Sequence, residues 1–102
     1  MSKPRVELQT LLEGLLGSRN VYFQPPESVK LSYPCIIYGL SKFRSKKANN
    51  SKYLIDKEYD VTIIDKNPDS ALPDKLYELE YCSFDRDYKA DNLNHWVFSL
   101  YW

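Results

Sequence analysis

Glycine and histidine are scarce in this sequence, with three glycines (Gly14, Gly17, Gly39) and one histidine (His95) in 102 residues. Without a G-x-G-x-x-G or G-x-x-x-x-G-K pattern there is no backbone loop built to cradle a phosphate. One histidine cannot supply a metal cluster, and neither Cys35 nor Cys82 has a second Cys or a His at metal-ligand spacing. No run of about 20 apolar residues is present, so no membrane span is expected. The N-terminal Met-Ser-Lys-Pro-Arg lacks an apolar core of the secretory type, which leads to the expectation of a protein made and kept in a cytoplasm. Cys35 and Cys82 are accordingly expected as reduced structural thiols, Cys35 within the apolar run Cys35-Ile36-Ile37-Tyr38.

Aromatics, by contrast, are plentiful. Nine Tyr, four Phe and two Trp suit β-sheet faces and surfaces that are dry on one side. At this length, with 43% apolar and 27% charged residues, the chain is expected to fold as a single domain over residues 1–102. The net charge is zero, but it is unevenly spread along the chain. Residues 1–52 carry nine basic and three acidic side chains, and residues 53–102 carry five and eleven. If that split survives folding, copies can dock head to tail, as rings and filaments require.

Local patterns predict the elements. Leu8, Leu11, Leu12, Leu15 and Leu16 form one stripe of a helix over residues 4–16, with Gly17 as its stop. Val21-Tyr22-Phe23 reads as a short strand ended by Pro25-Pro26. A run apolar on both faces makes a central strand from Tyr33 to Leu40. Residues 41–52 carry five basic residues and no acid, alternate poorly and contain Asn49-Asn50, so they read as a long hairpin loop. Strand character resumes over 53–65, where Tyr59, Val61 and Ile63 oppose Asp60, Thr62 and Ile64. Asn67-Pro-Asp-Ser70 is a turn. Leu72 to Glu80 is a short helix with Pro73 in its first turn and Leu72, Leu76 and Leu79 as its stripe. Residues 82–90 and 93–102 are two further strands. In the last, Trp96, Phe98, Leu100 and Trp102 form the expected core face, and the strand should tie the end of the chain into the sheet. The order α-β-β-β-α-β-β, without repeating βαβ units, predicts an α+β fold: a mainly antiparallel sheet with an N-terminal helix and a second short helix on one face.

The search for chemistry returns weak candidates. His95 as a base with Cys35 or Cys82 as nucleophile lacks any surrounding motif, and a structural role for His95 is the preferred reading. Asp85, Asp87 and Asp91 alternate as a cation-binding row would, but such rows are more often solvated or paired across a sheet. Lys42, Arg44, Lys46, Lys47 and Lys52, interleaved with Phe43 and Tyr53, fit phosphate binding or a solvated loop, and fit best a loop docking on an acidic neighbour. Tyr22, Tyr33 and Tyr53 are candidates for the dry centre of such a contact. No catalytic, metal or cofactor site is expected, and the chain is not expected to be an enzyme.

The segments Asn20-Val-Tyr-Phe-Gln-Pro-Pro-Glu-Ser28, Tyr33-Pro-Cys-Ile-Ile-Tyr38, Asp65-Lys-Asn-Pro-Asp-Ser70 with Leu72-Pro-Asp-Lys75, and Cys82-Ser-Phe-Asp-Arg-Asp-Tyr88 through Asp91-Asn-Leu-Asn-His95 resemble the small tail-terminator (head–tail joining, tail-completion) proteins of tailed bacteriophages and prophages. The likeness spans most of residues 7–102. It implies a β-sheet flanked by helices and a structural role in the virion, at the head-proximal end of the tail. There a homo-oligomeric ring, usually of six subunits, caps the tail tube and meets the head-completion or connector protein. Genomic DNA passes through the lumen without sequence readout. A small phage-encoded binding or regulatory module acting on a host protein is the alternative.

Overall fold

Helix α1 (Arg5–Leu16) begins after Pro4, whose extended backbone (φ −61°, ψ 143°) needs no donor there. It ends at Gly17, where φ of 82° lies in the left-handed region and the Gly17 N–H caps the Glu13 carbonyl at 2.9 Å. The computed structural model describes residues 4–48, 51–79 and 82–102, and for residues 43–48 and 51–56 the backbone alone. Strands β1 (Val21–Phe23), β2 (Cys35–Ala48) and β3 (Ser51–Asp65) follow. Helix α2 (Leu72–Tyr77) then leads to β4 (Cys82–Ala90) and β5 (Leu93–Tyr101), so the element order is the expected one.

The strands form one sheet in the order β1-β2-β3-β5-β4. Every pairing is antiparallel except β1 with β2, which is parallel and sets Val21 opposite Ile36. The β4–β5 connection is the dipeptide Asp91-Asn92, both with positive φ (53° and 62°), as tight hairpins with the sheet's twist require. Side chains in the 65–70 segment make their own turn: Asp65 Oδ1 accepts from the Asn67 N–H and Asn67 Oδ1 from the Asp69 N–H.

The core lies between one sheet face and the two helices. Leu8 and Leu12 of α1 and Leu72 and Leu76 of α2 pack on Ile36, Tyr38, Tyr59, Val61, Ile63, Phe98 and Leu100. Burying each such side chain contributes about 1.5–3 kcal/mol. Trp96 and Trp102 share this face but are only half-buried against the core. A polar cluster fastens α1 to the sheet edge. Arg5 Nη1 donates to the Tyr38 hydroxyl at 2.9 Å, that hydroxyl donates to Gln9 Oε1, and Gln9 Nε2 donates to the Val21 carbonyl at 3.0 Å. The Arg5 guanidinium lies 4.4 Å above the Phe23 ring.

Two expectations are corrected. Helix α2 closes at Tyr77 rather than Glu80; Leu79 turns back to bond the Leu76 carbonyl, and Glu80 lies outside the described residues. Residues 41–48 and 51–52 are strand, not loop. The register sets Lys42 opposite Glu58 and Arg44 opposite Asp56, positions of opposite charge across the ladder. The backbone of this stretch pairs as strand although its sequence lacks apolar alternation. Asn49 and Asn50, the expected turn, lie outside the described residues.

Candidate functional site

The last β3 residue paired with β5 is Glu58, opposite Tyr101. Lys57 is still held, its carbonyl accepting the Trp102 N–H at 3.0 Å. From Asp56 back to Ser51, β3 has only β2 beside it, while β2 loses β1 after Tyr38. The two strands therefore leave the sheet as a ribbon. At 3.3–3.4 Å per residue the six residues 51–56 carry it about 20 Å beyond the body, and the molecule extends 52 × 28 × 23 Å. Residues 41–57 hold six basic residues and one acid, Asp56. The structure thus gathers Lys42, Arg44, Lys46, Lys47, Lys52 and Tyr53 on one projecting arm, with Lys42 exposed at its base. Tyr22, half-buried on β1, and Tyr33, 37% exposed just before β2, belong to the body, so the eight interface candidates do not form one patch.

The opposite sheet face carries a feature that the sequence did not reveal. Because β1 and β2 are parallel neighbours, the chain must cross over the sheet between them. Residues 24–34 do so on the helix-free face, and a cleft of about 490 Å³ remains beneath them. Pro26, Val29, Leu31 and Ile37 give it apolar walls, and Glu27 and Asp60 bring carboxylates to its lining. Gly39 makes the close approach possible: a Cβ there would lie 3.1 Å from Gln24 Cγ, and Gln24 Oε1 accepts the Leu40 N–H at 3.0 Å. The Pro25-Pro26 pair was the available signal, marking a break without showing where the chain goes next.

The remaining candidates are pulled apart. His95 stacks on Tyr88 at 4.6 Å and 10°, with Nδ1 3.1 Å from the Leu93 carbonyl. The register runs His95, Ile64, Cys35 across three strands, which puts the Cys35 position about 10 Å from His95. Cys82 packs against the core on the other face. A bulge between Phe84 and Arg86 leaves Asp85 without a cross-strand partner and breaks the acidic row; Asp85 Oδ2 instead meets Arg86 Nη1 at 2.7 Å. Among the described residues no group of three or more His, Cys, Asp or Glu could hold a metal ion. No helix among them is long and apolar enough to cross a membrane.

Burial, and then the Asp65 carboxylate, push the Cys35 thiol from an ordinary 9.0 up to about 11, and burial does the same for Cys82. Burial, followed by neighbouring Tyr38, also raises the Tyr59 hydroxyl. The folded chain holds these protons more tightly than the unfolded one. The contribution of the two thiols is therefore complete below their unfolded value of 9.0 and is lost as pH rises toward about 11. Thermal melts should show a plateau through neutral pH and a steady fall from pH 9.0 upward, accompanied by slow thiol alkylation of the native protein at pH 8. An unchanged midpoint at pH 10.5 would contradict this. No protein-family model matches the chain, and no curated protein matches it.

Proposed function

We propose that this chain is a self-assembling structural subunit of the tail-terminator type, forming a ring at the head-proximal end of a phage tail. The single observation that supports this reading most is the basic β2–β3 arm, which runs past the sheet with no third strand beside it. A two-stranded ribbon alone in water is marginally stable. Its like charges discourage arm-to-arm pairing, so the ribbon gains most from docking on a different surface. Two different patches per subunit make a heterologous contact, the kind that closes into rings. The sequence resemblance supplies the biological setting: the ring ends tube growth, contacts the tail tube protein and the head connector, and leaves a lumen for DNA.

Removing the gene from the phage or prophage that carries it, then imaging the particles, tests the proposal. Overlong tails, or tails without heads, are expected. Tails of normal length joined to heads would overturn it and favour the small binding module.

A further inference from the structure

We propose that the cleft beneath residues 24–34 receives the basic arm of a second copy of this chain. This docking rests on the self-assembly reading above and names both halves of the contact. Its apolar walls contain Val29, 37% exposed, and its volume of about 490 Å³ lies in the range of binding clefts. Glu27 and Asp60 are exposed, and neither forms an ion pair among the described residues. Lys30 sits in the same crossover but does not line the cleft. Carboxylates over an apolar floor suit a strand that mixes cations with an aromatic. The arm has that composition in Lys42-Phe43-Arg44, followed by Lys46 and Lys47.

The occupant must come from another molecule. Gly39 and Asp60, both in the cleft lining, are the cross-strand pair at the root of the arm, and both strands run from there in the plane of the sheet. An arm that continues its own sheet does not fold back over its own face. The exposed β4 edge is a poorer acceptor. Its bulge at Asp85 disrupts strand addition, and Asp85, Arg86, Asp87 and Lys89 cancel in charge.

A charge-exchange cycle on the full chain, read by sedimentation velocity at low salt, tests the docking. The proteins are wild type, an arm variant (Lys46→Glu with Lys47→Glu), a cleft variant (Glu27→Lys with Asp60→Lys) and the two combined. Glu27 and Asp60 are exposed, and a thermal melt of each protein checks its fold. Each reversal alone should weaken self-association about tenfold or more, as like charges meet in the interface, and the combined variant should recover most of the loss. Val29→Lys, which places a like charge in the apolar wall, should weaken it as well. If wild type assembles and neither the cleft reversal nor Val29→Lys changes that assembly, the cleft is not the receptor, while the self-assembly reading stands. If wild type remains monomeric at every concentration, the self-assembly reading falls and takes the docking with it.

Discussion

Replacing Phe98 with alanine should destabilise the fold by about 3–5 kcal/mol, the usual cost of deleting a buried phenylalanine ring. Phe98 is 2% exposed at the middle of β5, with Val61 beside it on β3 and Phe84 beside it on β4. Its ring meets Phe84 edge-on at 5.3 Å and 67°. Deleting it opens a cavity where helices and sheet meet, and the sheet cannot close that gap without breaking its ladders. A domain of this size has about 5–15 kcal/mol of total stability. At roughly 4–8 °C per kcal/mol, the midpoint should fall by about 12–40 °C. Phe84→Ala is the control. That ring is 46% exposed on the edge strand, so its loss should cost about 1 kcal/mol. The two variants share one aromatic contact and differ in burial. Equal losses in thermal melts would mean that the core does not lie between β5 and the helices.

The core was legible because it is written in periodicity. The leucines of α1 recur at helical spacing, and the buried Tyr59, Val61 and Ile63 alternate with Asp60 and Thr62, so local sequence carries the face assignment. That logic fails at Val97, Ile64 and Cys35. They lie on the helix-free face, yet are only 5%, 5% and 0% exposed, since burial there depends on what crosses the sheet rather than on the strands themselves. The arm was missed for a related reason. Its strands pair through the backbone ladder, with Lys42 placed opposite Glu58 and Arg44 opposite Asp56, and neither partner is visible from residues 41–52 alone. The bulge at Asp85 shifts the facing of everything after it in β4 and so dissolves the acidic row that simple alternation suggested. The cleft depends on β1 lying parallel to β2. Val21-Tyr22-Phe23 reads as a strand in either direction, so its polarity is a property of the fold and not of those three residues.

Converting Lys42, Arg44, Lys46 and Lys47 to glutamate should abolish assembly while leaving the core intact. Among the described residues the buried cluster lies in the helices and the body of the sheet, and Lys42 at the base of the arm is exposed. The price of the substitution within one chain is confined to the ribbon, where the register turns Lys42 with Glu58 and Arg44 with Asp56 into like-charge pairs at about 0.2–1 kcal/mol each. Lys46 and Lys47 separate the two effects. Lys46 faces Leu54 and Lys47 faces Lys52, so K46E and K47E create no repulsion across the ladder, and K47E relieves one. A protein carrying only those two changes should melt at the wild-type temperature yet associate about tenfold less tightly, whereas the fourfold variant should not associate measurably. Wild-type association should itself weaken as salt is raised from low to physiological strength, because exposed charges are screened over about 8–10 Å. Light scattering across protein concentration and salt reads all of these at once. Assembly that is indifferent to both the substitutions and the salt would remove the arm from the contact and leave the half-exposed aromatics of the body to make it.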